Sequence, residues 1–159
     1  MFPSSLYPLI TAFFAFLIAQ CLKVPFFYFQ TGKWAPKLIC ASGGFPSSHS
    51  STVTALTLTI GMQEGFDSTI FAVTAVFSCI VMYDACHVRY YSGKGIELVQ
   101  ELIKDIKDSG TITLDSPLYS QNLKTVLGHK KVEVLGGLII GLILPFLLAP
   151  IFYASKGFL

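Results

Sequence analysis

Residues 6–29 are apolar and aromatic except for Thr11, Gln20 and Lys23, a stretch long enough to span a bilayer core of about 30 Å. Three more apolar runs follow, over 47–62, 68–83 and 131–154. Hydrocarbon offers a backbone no hydrogen-bond partner, so a crossing segment must be a helix or part of a closed barrel. The run at 68–83 is rich in β-branched and aromatic residues and would pass for a strand in water; in lipid, helix is the expectation. Composition agrees, since 53% of the 159 residues are apolar and 13% charged, too apolar a balance for an ordinary soluble domain. The expected fold is therefore all-α: one integral membrane helical bundle over 1–159. About four transmembrane helices are expected, at about 6–29, 47–62, 68–89 and 131–154, with an amphipathic helix in a long cytoplasmic loop at about 92–130.

Charge and cysteine usage narrow the class. The net charge of +2 gives no footprint for nucleic acid. Cys21, Cys40, Cys79 and Cys86 form no CxxC pair and no zinc-ribbon spacing, and read as small apolar residues. No basic segment precedes the first apolar run, so it is expected to stay as a membrane helix and not to be cleaved as a signal peptide.

Within the runs, several residues break the apolar pattern. Lys23 is an ammonium inside a span, which costs roughly 2.5–3.5 kcal/mol at the centre of a bilayer; it either snorkels to the interface or faces the bundle interior and meets an anion. The second run is short, would only just cross, and carries Ser50, Thr54, Thr57 and Gly61 on one stripe, as in a helix packed inside a bundle. Ile96, Val99, Leu102, Ile103 and Ile106 recur at helical spacing between Glu and Lys, the pattern of an amphipathic helix that lies on the membrane or caps the bundle. Ser109-Gly110 should end it, and Ser116-Pro117 should open a shorter helix that runs to Leu127. Gly137 and Gly141 form a GxxxG pair, which suggests close helix contact and a homodimer. Pro145 and Pro150 should bend the far half of the last run.

Four spans fix the sidedness. The loops after the first and third spans then share one face, with Lys33, Lys37, Arg89, Lys94, Lys104, Lys107, Lys124, Lys130 and Lys131, against Lys156 alone on the other. The positive-inside rule makes the rich face cytoplasmic and places both termini outside, most simply in the cell membrane.

The same topology gathers the chemistry. Residues 42–54 read Ser-Gly-Gly-Phe-Pro-Ser-Ser-His-Ser-Ser-Thr-Val-Thr. A glycine turn, capping serines and a helix N-terminus offer N–H groups to an anion, and His49 in the first helical turn can move a proton. Asp84, His87 and Arg89 close the third span, while His129 and Glu133 open the fourth at a spacing that puts them on one helix face. A carboxylate there can hold the imidazole in one tautomer and make it a better nucleophile or base.

Three blocks carry a resemblance. Gly43-Gly44-Phe45-Pro46-Ser47-Ser48-His49-Ser50, Tyr83-Asp84-Ala85-Cys86-His87-Val88-Arg89 and Leu127-Gly128-His129-Lys130-Lys131-Val132-Glu133-Val134 together resemble the divergent membrane family related to type 2 phosphatidic acid phosphatases and vanadium-dependent haloperoxidases. The resemblance covers roughly 23–142. It implies a phosphate site in which Ser47 and the Ser48 amide hold phosphate oxygens and Lys23 and Arg89 offset the charge; Gly44, in the glycine turn beside them, is expected to bind substrate too. It further implies that His49 protonates the leaving group, His129 attacks phosphorus and Glu133 orients His129; Asp84, gathered to the same face by the topology, is expected to be a further catalytic carboxylate. Neither metal nor cofactor is implied. Ser48 stands where the wider superfamily has glycine, Glu133 where it has aspartate, and Gln30-Thr31 where it has Arg-Pro. Arg89 also lies far from His129 in sequence, whereas the superfamily arginine lies close before its nucleophilic histidine.

The expected function is hydrolysis of a lipid phosphate or diphosphate through a phosphohistidine. The partners are then a phosphorylated lipid substrate and membrane lipids, with a homodimer to complete the site. Two alternatives stay open: a non-catalytic binder or transporter of phosphorylated lipid, and a metal site built from His49, Asp84, His87 and His129.

Overall fold

A computed structural model describes residues 4–110, 116–121 and 127–153. Among them every regular element is helical: α1 is Tyr7–Thr31, α2 Ser48–Glu64, α3 Thr69–Tyr83, α4 Arg89–Ser109 and α5 Lys131–Tyr153. Pro8 sits in the first turn of α1, where its missing N–H is no loss. Gly32, at φ 69°, ends α1 with a left-handed cap, its N–H on the Tyr28 carbonyl at 2.8 Å. Ser47 and Ser68 cap α2 and α3, each side-chain oxygen accepting a backbone N–H three residues on, at 3.3 Å.

α2 is the centre of the bundle and packs against α1, α3 and α5. The pairings give the directions. Ser51 donates to the Ala15 carbonyl at 3.1 Å while Lys23 sits beside Gly44, so α1 and α2 are antiparallel. Thr57 donates to the Thr74 carbonyl and Ser78 to the Val53 carbonyl, so α2 and α3 are antiparallel as well. Gly137 meets Ser47 and Ser50, and Gly141 meets Ser51 and Thr54, so α5 runs parallel to α2. The start of α1 and the end of α5 meet at the opposite end of the bundle from the glycine loop, where the Tyr7 ring packs on Phe152 and Tyr153 and its hydroxyl donates to the Pro145 carbonyl at 2.6 Å.

The close packing rests on small residues. Ala15 and Ala55 are fully buried with Leu144 between the helices. Many large apolar side chains point outward instead, Phe13, Val76, Ile80, Phe146 and Leu147 among them, the distribution expected of a bundle solvated by lipid. Ser50, Ser51 and Thr57 of α2 donate to carbonyls of α5, α1 and α3, while the buried Thr54 hydroxyl has no partner among the described residues.

Three helices are long and apolar enough to cross a membrane: Tyr7–Thr31, Thr69–Ser109 and Lys131–Tyr153. The 17 residues of α2 give it a length of about 25 Å, short of the hydrocarbon core. The third of these helices differs from expectation. A π-helical turn, Asp84–Val88, carries α3 into α4 without a break, so the amphipathic segment is the continuation of a span and not a separate loop helix. The polar residues at 84–92 do not end the helix because backbone bonding continues through them, with the Arg89 N–H on the Asp84 carbonyl. α5 likewise runs as one helix through Pro145 and Pro150. Of the short helix expected after Ser116-Pro117, a 3₁₀ turn forms over Pro117–Ser120. Its continuation at 122–126, with Lys124, lies outside the described residues, as does Lys156.

Candidate functional site

Two histidines from opposite halves of the sequence meet at the end of the bundle where α2 and α5 begin. His49 stands in the first turn of α2, and its Nδ1 lies 3.4 Å from Nε2 of His129. The rings are edge to face, 5.6 Å between centroids. His129 precedes α5, is 1% exposed, and places its Nδ1 2.9 Å from Oε2 of Glu133. The same carboxylate oxygen accepts the Lys130 N–H at 3.2 Å, and the Gly44 N–H also donates to Glu133. A carboxylate that collects backbone donors is an acceptor, so Nδ1 of His129 donates to it and Nε2 faces His49.

Backbone contacts place these side chains. The His129 N–H donates to the Ala85 carbonyl at 2.9 Å. The π-turn makes that acceptor accessible, because the Arg89 N–H, its ordinary α-helical partner, bonds Asp84 instead. Gly128 lets the two strands of chain touch: a Cβ there would stand 2.3 Å from the Tyr90 nitrogen. The Ser47 N–H donates to the Glu133 carbonyl at 2.9 Å, and the Ser50 hydroxyl to the Val134 carbonyl at 2.8 Å, which fasten the start of α2 to the start of α5.

Gly44, at φ 94°, holds the turn of the glycine loop and touches Glu133 through its N–H. Ser47 and Ser48 are buried, Ser47 as the cap of α2 with its hydroxyl proton free of that role. Lys23 is 1% exposed, so it faces the interior and does not snorkel; its Nζ donates to the Ala41 carbonyl at 2.7 Å and lies within electrostatic reach of Glu133. Arg89 and Asp84 pair with each other at the half-exposed mouth, within electrostatic reach of His49. His87 is outside this group, stacked on Tyr83 at 4.9 Å and edge-on to Tyr91. Among the described residues no group of three His, Cys, Asp or Glu side chains is placed to hold a metal, so the proposed four-residue metal cluster does not assemble.

Sequence reasoning missed the Ala85 and Ala41 carbonyls and the packing role of Gly128. A backbone acceptor has no sequence signature, and Gly128 looks like an ordinary helix stop. The expectation of a homodimer from Gly137 and Gly141 loses its motif, since both glycines face α2 of the same chain; a Cβ on either would meet a backbone oxygen of α2, at 2.1 Å for Gly137 and 2.6 Å for Gly141.

A family model described as the Divergent PAP2 family matches residues 5–144. The protein named Uncharacterized membrane protein YuiD, from Bacillus subtilis (strain 168), is 35% identical over 151 residues, which cover 92% of this chain and 96% of that relative. No solved structure matches the chain.

Proposed function

We propose that this chain, which belongs to the Divergent PAP2 family, hydrolyses a lipid phosphate or diphosphate through a phosphohistidine on His129. The observation that carries the reading is the array His49–His129–Glu133: a buried imidazole with one nitrogen held by a carboxylate and the other facing a second imidazole at 3.4 Å. Nε2 of His129 attacks phosphorus, the bond from phosphorus to the leaving oxygen breaks, and His49 gives that oxygen a proton. Water then attacks the phosphohistidine, the P–N bond breaks, and His49 takes the proton back. Ser47, the Ser48 amide and Arg89 stabilise the charge on the phosphoryl oxygens, with Arg89 leaving Asp84 to do so.

The chain is a membrane protein with three helices long and apolar enough to cross. In our reading α2 crosses as a fourth span, sheltered from lipid by its neighbours. The alternating directions of α1, α2, α3 and α5 support this, and the lysines and arginine near the site then put it on the cytoplasmic face. A lipid headgroup enters from the interface while its chain stays in the hydrocarbon.

One observation favours a binder or transporter instead: both cations are already engaged, Lys23 by Ala41 and Arg89 by Asp84. Phosphate release separates the two readings. The purified chain in detergent should release phosphate from a lipid phosphate, vanadate should inhibit it, and His129→Ala should abolish it. Release that is unchanged in His129→Ala removes the enzyme assignment, and binding without turnover by the parent selects the binder.

A further inference from the structure

The segment between α1 and the glycine loop exposes lipid-seeking and anion-seeking side chains together. Phe29 is 82% exposed, Trp34 67% and Ile39 43%. Tyr28 meets Trp34 edge-on at 5.8 Å, which seats the indole against the end of α1. Lys33 and Lys37 stand exposed among them, and neither forms an ion pair among the described residues. The charge bias is wider than the segment: no Asp or Glu precedes Glu64, so Lys23, Lys33 and Lys37 have no acidic neighbour in that stretch of sequence.

Position adds to composition. Gly32 stops α1 where the first membrane helix ends, so residues 33–40 lie at the membrane face. The segment runs straight into Ala41, whose carbonyl holds Lys23, and then into the glycines of the candidate site. A neutral lipid surface would satisfy the aromatic side chains and leave the lysines unused, whereas a soluble acidic partner would do the reverse. A layer of anionic lipid headgroups satisfies both, through indole and phenyl rings at the boundary and ammonium groups on lipid phosphates.

We infer that residues 28–40 form an interfacial platform for anionic lipid, with Phe29, Trp34 and Ile39 in the headgroup–acyl boundary and Lys33 and Lys37 on the phosphates of adjoining lipids, at the rim of the site. The platform concerns lipid binding alone and stands whether or not the site turns a lipid over.

Trp34 is the sole tryptophan, so the emission of the full chain reports this segment. In phosphatidylcholine nanodiscs, lipids brominated near the headgroup end of the acyl chain should quench it more than lipids brominated near the chain end. Titrating in phosphatidylglycerol should shift the emission to the blue. Lys33→Gln or Lys37→Gln should each raise the anionic fraction at half-shift roughly fivefold, and the double variant should lose the shift. Both lysines are exposed, so the variants should keep the helix content and detergent melting temperature of the parent. Quenching by aqueous iodide but not by brominated lipid overturns the inference, as does a half-shift unmoved in the double variant. Should the variants misfold, a parent chain indifferent to phosphatidylglycerol overturns it equally.

Discussion

His129 is the most constrained side chain in the site. Its backbone N–H is held by Ala85, its Nδ1 lies on Glu133 and its Nε2 faces His49, so its ring has one orientation. His49 has fewer constraints, as suits a group that must pass a proton to a leaving oxygen. If that is its role, its importance depends on the leaving group. His49→Ala should cost about 10²–10⁴-fold in kcat on an alkyl phosphate, whose alkoxide needs the proton. The loss should be far smaller on an aryl phosphate with an acidic phenol, which departs unprotonated. Equal losses on both would take the acid role away from His49. Lys23 illustrates how far a residue can be read from sequence. Its place in an apolar run already marked it as either interfacial or inward. The structure decides for inward, since its ammonium is buried on the Ala41 carbonyl within reach of Glu133, but no spacing rule could have named a carbonyl as its partner.

Among the elements, α2 determines the architecture, because each of its faces meets a different helix and each contact needs a small or hydroxylated residue. Gly137 and Gly141 bring α5 against the backbone of α2 and its cap. Gly137→Ala would drive a methyl group into the Ser47 carbonyl and push α5 away from the capped start of α2. A cost of about 1–3 kcal/mol is expected from such overpacking, seen as a lower melting temperature in detergent. Because the same contact aligns His49 with His129, phosphate release should fall further than stability alone explains. An unchanged melting temperature would show that the helices do not approach as described. The helical class, three of the four expected spans, the packed polar face of α2 and the convergence of 43–49 with 129–133 were legible, since each follows from hydropathy, period and topology. The unbroken passage from α3 into α4 was not. Asp84, His87 and Arg89 look like a helix end by polarity, and a π-turn is a shift of backbone register that composition does not record. The GxxxG pair was read correctly as a close approach, but a motif that specifies closeness does not specify whether the partner helix belongs to the same chain.

For the whole molecule, the strongest consequence is sidedness. α1 and α2 are antiparallel, α2 and α3 are antiparallel, and α5 runs with α2, so the start of α1 and the end of α5 share one end of the bundle and the histidine pair occupies the other. Lysine and arginine gather at the histidine end, so in the four-span reading proposed above the positive-inside rule predicts that end to be cytoplasmic. Two exposed positions report the two ends: Cys40, just before the glycine loop, and Ser5, just before α1. In a chain whose other three cysteines are changed to alanine, a membrane-impermeant maleimide should label Cys40 in inside-out vesicles and spare it in intact cells. With Cys40 also removed and Ser5→Cys introduced, the pattern should reverse. Labelling of both positions from the same side would mean that α1, the one α-helix between them, does not cross, and the cytoplasmic placement of the site would fall with it. Labelling from opposite sides, with Cys40 inside, places the candidate phosphate site where a cytoplasmic-leaflet headgroup can reach it.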